Sequence, residues 1–320
     1  MANGDLPEFS RELLFSARLL ACKKPNEGIR PVGVGNYFRS LTAKFDTIES
    51  SEGEKEGEKI VLVSAYYVID SFTKVGGKIR TKENYYTWLD RFRFINNDLI
   101  FFSDSYEPLR HVRKIRKSKP TLLLFLNRSE LIGFKNIDKI NHIFTLPGYR
   151  RDLTETANCH YSAIMHSKHD LIERAIKLGG NLSYYAWVDA GLFRYTPFSE
   201  DVILRANKYI DKTRLVMSQI YDFRDYSIEE ITKGPHIWVS GGFLVGYVNV
   251  LLKFCEVYRN FFFKLLSMNL IATDEQAIYS LYSSQGRALM NDSVKLQVFQ
   301  CQYFGLYSLF GRVVAVESCP

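Results

Sequence analysis

The stretch that most constrains the fold is residues 183–194, Ser-Tyr-Tyr-Ala-Trp-Val-Asp-Ala-Gly-Leu-Phe-Arg. Tyr184–Val188 is uncharged, mostly aromatic and β-branched, and runs straight into one carboxylate, Asp189. Neither face of such a strand suits water, so both must be covered, as in the interior of a sheet layered by helices. The strand therefore delivers an acid to the sheet rim, and Gly191 lets a ligand approach the backbone closely there.

Three earlier runs follow the same plan. Ile60–Tyr67 is a buried strand, Asp98–Ser103 ends at Asp104, and Thr121–Leu126 ends at Asn127. Between them lie segments with helical spacing, 83–94 and 107–118, and a long one at 158–178 stopped by Gly179 and Gly180. Strands alternating with helices predict an α/β fold, Rossmann-like, with a mostly parallel sheet flanked by helices and polar residues at the strands' carboxyl ends. The second half is less regular. It reads as a strand at 215–220, a charged loop at 222–234, a strand within 236–248 interrupted by Gly241 and Gly242, helices at 250–268 and 273–284, and an apolar tail at 301–316 that packs back.

Composition narrows the function classes. The 320 residues are 46% hydrophobic, enough for a substantial core. The longest uncharged stretch, Ile237–Leu252, has 16 residues where a membrane span needs roughly 20. No membrane span or signal peptide is expected, which places the protein in the cytoplasm by default. The five cysteines are odd in number and form no Cys-x-x-Cys pair, which argues for reduced core thiols over a disulfide framework or a zinc site. Arg110, Arg113, Lys114, Arg116, Lys117 and Lys119 read as a solvated basic face, and with Tyr106 as the one aromatic nearby no nucleic acid is expected as a partner. The sequence from residue 60 contains no Gly-x-Ser-x-Gly elbow, P-loop or Gly-x-Gly-x-x-Gly fingerprint, which weakens hydrolase, kinase and dehydrogenase readings. Residues 49–59 hold no apolar side chain and read as a linker between a short segment, 1–48, and a domain at 60–320.

Several residues carry chemistry or a plainer role. Asp189 serves either as a metal-holding carboxylate or as a strand-end acid capping a turn; a full Asp-x-Asp would be the firmer metal signal, and here the third position is Gly191. Gly241 and Gly242 mark close approach to a ligand, or a bulge. His236 and Trp238 face a sugar or base, or pack in the core. Asp274 and Glu275 follow Thr273, a natural N-cap, and are site acids or ordinary first-turn dipole complements. Lys168, within Ile164–His169, gains interest only from its place just upstream of the Asp189 strand.

Taken in order, seven pieces resemble the HtrL/YibB-type proteins over residues 58–310. They are Val63-Ser-Ala-Tyr-Tyr67, Arg80 with Tyr85-Tyr-Thr-Trp88, Leu99-Ile-Phe-Phe-Ser-Asp104, Ser167-Lys168, Trp187-Val-Asp-Ala-Gly191, Val239-Ser-Gly-Gly242 and Asp274-Glu-Gln276. Those proteins look like glycosyltransferases of the GT-A class. The resemblance implies a nucleotide-diphospho-sugar transferase fold and transfer of a sugar from a nucleotide-sugar donor to a glycan or other acceptor, with Mn²⁺ or Mg²⁺ as cofactor. It implies that Ser64, Ala65 and Tyr66 hold the base and ribose, and that Arg80, Asp104 and Lys168 contact the donor. Asp189 would hold the metal, and His236, Trp238, Gly241 and Gly242 would border the acceptor. Asp274 or Glu275 would be the general base or an electrostatic support. The alternative is a catalytically degenerate GT-A-like module kept for binding or structure. Residues 9–44, with Lys23-Lys-Pro-Asn-Glu-Gly-Ile-Arg-Pro-Val32, separately resemble the finger region of retroelement reverse transcriptases. No palm with catalytic aspartates accompanies them, so this remnant cannot polymerise.

Overall fold

In a computed structural model of the chain, the structure describes residues 57–69, 71–73, 79–179, 183–290 and 293–311. The reverse-transcriptase-like segment and most of the expected linker lie outside those residues. The chain enters the sheet at β1 (Glu58–Ala65), so Glu58 and Lys59 belong to a strand and not to the linker. An antiparallel pair, β2 (Phe72–Thr73) and β3 (Ile79–Arg80), precedes α1 (Lys82–Leu89), β4 (Leu99–Ser103), α2 (Tyr106–Ile115) and β5 (Thr121–Phe125). Four helices follow, α3 (Ile132–Lys135), α4 (Ile137–Thr145), α5 (Thr154–Ala157) and the long α6 (Cys159–Gly179), before β6 (Tyr184–Val188). The remainder is β7 (Arg205–Ala206), β8 (Leu215–Gln219), α7 (Ile228–Lys233), β9 (Val239–Tyr247), α8 (Val248–Ser267), α9 (Asp274–Tyr282), α10 (Ser284–Leu289) and β10 (Leu296–Phe299).

Seven of these strands form one sheet in the order β10-β8-β9-β6-β1-β4-β5, with β7 pairing on β1. The pairs β1–β4, β4–β5, β1–β6 and β8–β10 are parallel, which is the mostly parallel α/β sheet the alternating runs predict. β9 is antiparallel to both of its neighbours. The paired glycines do not interrupt it. β9 runs as one strand through Gly241 and Gly242, but its pairing with β8 jumps there: Met217 faces Leu244 and Gln219 faces Val239, so Ser240–Phe243 bulge opposite Ser218 alone.

The central strands bury both faces, as their uncharged runs require. Along β1, Val61 and Val63 enter one core while Ile60 and Leu62 enter the other; along β6, Tyr185 and Trp187 point one way and Tyr184, Ala186 and Val188 the other. This two-residue alternation explains why no polar side chain is tolerated before Asp189. β1 lies between β4 and β6, and the chain first builds outward through β4 and β5, then crosses to β6 on the other side. The carboxyl end of β1 is therefore a topological switch point, where open α/β sheets leave a crevice.

Two expectations from the sequence fail. Arg116 does not belong to a solvated basic face: it is 2% exposed. Its guanidinium donates to the backbone carbonyls of Phe92, Ile95, Asn97 and Pro120. Cys301 is disulfide-bonded, whereas Cys159 and Cys255 are free. The cysteines thus no longer argue for a reducing compartment. Among the described residues, no helix is long and apolar enough to cross a membrane.

Candidate functional site

A cleft of about 560 Å³ opens at the switch point, lined by the carboxyl ends of β1 and β6, by α1 and α6, and by the start of α9. One wall is aromatic. Tyr66, just past β1, stacks on Tyr85 of α1 with centroids 4.8 Å apart, and Tyr85 meets Trp88 edge-on at 4.8 Å. Two arginines lie over the Trp88 ring, Arg80 at 4.8 Å and Arg194 at 5.2 Å from its centroid. The spacing of α1 sets this wall, because Tyr85 and Trp88 are three apart and share a helix face.

The opposite wall is charged. Lys168 of α6 is only 2% exposed, and its ammonium sits 3.1 Å from Asp189 Oδ1 and 2.9 Å from Asp274 Oδ2. It also donates to the Gly241 carbonyl at 3.0 Å. Four segments thus converge on one nitrogen. Asp274 is 1% exposed, whereas Asp189 keeps 34% of its side chain in solvent. The Trp187 indole donates to Asp189 Oδ1 at 2.6 Å, and the Asp189 N–H donates to the Gly242 carbonyl at 2.9 Å, pinning the end of β6 to β9.

Thr273 caps α9 with a reciprocal Thr273–Gln276 capping box, which aims Asp274 and Glu275 into the site. Glu275 Oε1 accepts the Gly241 N–H at 2.9 Å. This explains Gly241: a Cβ there would lie 2.2 Å from Asp274 Oδ2. Burial alone would push the Lys168 ammonium down, but Asp189 and Asp274, with Glu275, hold it above the usual lysine range. Burial pushes the Asp274 carboxyl up, and the charge of Asp189 adds to this against the pull of Lys168. One cation shared between two acids leaves the deeper acid under-compensated.

Of the residues singled out in the sequence, Ala65, Tyr66, Arg80, Lys168, Asp189, Gly242, Asp274 and Glu275 line this cleft. Five do not. Ser64 is wholly buried within β1. Asp104 ends β4 on the same rim but is bound by the Arg128 guanidinium, which also holds the Val68 carbonyl. His236 stacks on Tyr226 at 4.2 Å, and Trp238 packs among Phe223, Tyr279 and Tyr282. Gly241 lies behind the acid cluster and presents backbone to it. Trp88 and Arg194 were given no role from the sequence. The visible signal for Arg194 was its place five residues after Asp189 in the loop that leaves β6.

The donor set does not suit a divalent ion. Asp189 keeps an open face, but an ammonium stands 3.1 Å from it, and its Oδ1 already accepts the indole N–H. Asp274 is sealed against Lys168, and Glu275 is tied to Gly241. Among the described residues no three His, Cys, Asp or Glu side chains are grouped as metal ligands. A cation beside Asp189 would meet the positive charge of Lys168 before it met a second carboxylate. Asp189, expected from the sequence as the metal carboxylate, accepts from Lys168 and Trp187.

Fold and cleft together define an α/β protein with an open, mostly parallel sheet and a charged, aromatic-walled site at its switch point. The chain belongs to the HtrL_YibB family, described as a bacterial protein of unknown function, whose model matches residues 58–311. No protein of curated function matches it. Among solved structures it is similar to core-mannan synthase A of Aspergillus fumigatus in its Mn/GDP form, with 12% identity, a TM-score of 0.44, and coverage of 79% of this chain and 80% of that one. None of these comparisons supports the reverse-transcriptase resemblance of residues 9–44.

Proposed function

We propose that this protein is a glycosyltransferase of GT-A-like fold that moves a sugar from a nucleotide-diphosphate donor to a glycan or other acceptor. The observation that carries the reading is the position of the cleft. It opens at the carboxyl ends of β1 and β6, the switch point where open α/β sheets take nucleotides, and it joins an aromatic wall suited to a base with a cluster of acids. Glu275 is the general base. Its Oε1 is fixed by the Gly241 N–H, and the residue lines the cleft. It takes the proton of the acceptor hydroxyl as that oxygen bonds to the anomeric carbon, while the bond from that carbon to the diphosphate oxygen breaks and the nucleoside diphosphate leaves with the electron pair. Asp274 is a positioning residue, because at 1% exposure it reaches no acceptor and serves to hold Lys168.

The test is release of nucleoside diphosphate from a panel of nucleotide sugars by the purified full chain. Glu275→Gln is expected to lower turnover on the active donor roughly 10²–10⁴-fold while donor binding stays. If no donor in the panel is turned over by the native chain, the transferase reading is rejected. A second reading is favoured by one observation, the Lys168–Asp189 ion pair, which occupies the acid expected to be free. A non-catalytic module of this kind binds a nucleotide sugar and leaves it intact in the same assay.

A further inference from the structure

Resting on the nucleotide-sugar reading, we propose that the donor's diphosphate is held by Arg80 and Arg194 across Trp88, without a divalent ion. Three observations carry this. First, the acids named are already engaged: Lys168 is shared by Asp189 and Asp274, and Glu275 Oε1 accepts the Gly241 N–H, so each would give up a partner to bind a cation. Second, the aromatic wall holds two cations with no carboxylate partner among the described residues. Arg194 spends one N–H on the Gly191 carbonyl at 2.9 Å, and its buried Nε has no hydrogen-bond partner. Third, both guanidinium groups are fixed over one ring, with Arg194 also resting on Phe304 at 4.3 Å.

The chemistry of the ligand follows from these groups. Guanidinium groups with no carboxylate partner beside a cleft suit an anionic ligand, and a planar fork fits phosphate oxygens in pairs. Two guanidinium groups carry the same formal charge as one divalent ion, enough to offset the charge that develops on a departing diphosphate. Gly191 permits the arrangement: a Cβ there would stand 2.9 Å from the Trp88 ring and 3.0 Å from Arg194 Nη1, driving apart the two groups that build the clamp.

The experiment is calorimetric titration of the full chain with UDP, GDP and ADP, first in excess EDTA and then in millimolar Mn²⁺. At least one of them is expected to bind in EDTA, with a Kd within about threefold of its value in Mn²⁺. Arg194→Met and Arg80→Met are each expected to weaken that binding roughly tenfold, and Arg194→Lys less, with the melting temperature of the free protein unchanged. Binding that appears only with Mn²⁺ and is lost in Asp189→Asn overturns the proposal and leaves the transferase reading standing. Binding in EDTA that neither arginine substitution weakens also overturns it. If none of the three nucleotides binds under either condition, both the proposal and the reading beneath it fall.

Discussion

Gly241 and Gly242 are neighbours of the same residue type, yet the structure asks different things of them. A methyl at Gly241 would lie 2.2 Å from Asp274 Oδ2, whereas one at Gly242 would meet its nearest atom, Ser240 Oγ, at 3.4 Å. Gly241→Ala is therefore expected to cost about 1–3 kcal/mol in a urea titration, and Gly242→Ala to leave stability near the native value. Equal midpoints for the two variants would contradict this account of the acid cluster. Lys168 offers a second comparison. Lys168→Met strands a buried Asp274 and should cost about 3–5 kcal/mol, whereas Lys168→Met combined with Asp274→Asn should recover a large part of that loss. A double variant no more stable than the single one would show that the ion pair is not the source of the cost.

Among the elements, the segment 90–121 depends on one side chain. Arg116 ends α2 and gathers the carbonyls of Phe92, Ile95, Asn97 and Pro120, so it holds the 3₁₀ turn at 90–94 against the approach to β5. Burial lowers its guanidinium to about 10. Arg116→Met is expected to destabilise by about 3–5 kcal/mol, because several buried carbonyls lose their donor at once, and by more than Arg113→Met on the same helix. Denaturant midpoints for the two variants decide it. This residue also shows where sequence reading stops. The strands at 60, 99 and 184 were legible because a strand buried on both faces must be apolar along its whole length, a local property. Arg116 stands in a run of basic residues, and nothing local separates the one that turns inward from those that stay in water. Lys168 is the same case: a lysine on a helix is ordinarily solvated, and its burial follows only from where β6, β9 and α9 bring their acids and carbonyl. Asp104 erred the other way, since its place on the rim was legible but its capture by Arg128, 24 residues later, was not.

For the molecule as a whole, the helix beneath the site sets a pH dependence. His166 and His169 flank Lys168 on α6 and are wholly buried. Burial, with the neighbouring Lys168 charge, lowers His166 to about 3 and His169 well below the usual imidazole range. The folded state thus binds fewer protons than the unfolded chain below roughly pH 6.5, so stability is full above that pH and falls as the medium is acidified. Urea midpoints at about pH 7.5 and about pH 5.5 should show the loss, and His169→Phe, which removes two ring nitrogens lacking any hydrogen-bond partner, should reduce it. A midpoint that does not move between the two values contradicts the burial of these rings. The convergence of four segments on the Lys168 nitrogen reaches further, into the order in which the chain is made. A ribosome releases Lys168 and Asp189 long before it reaches Asp274, so for some 85 residues of synthesis the lysine has half its counter-charge and no settled place in a core. Only when α9 has emerged does Lys168 meet its second acid, Asp274.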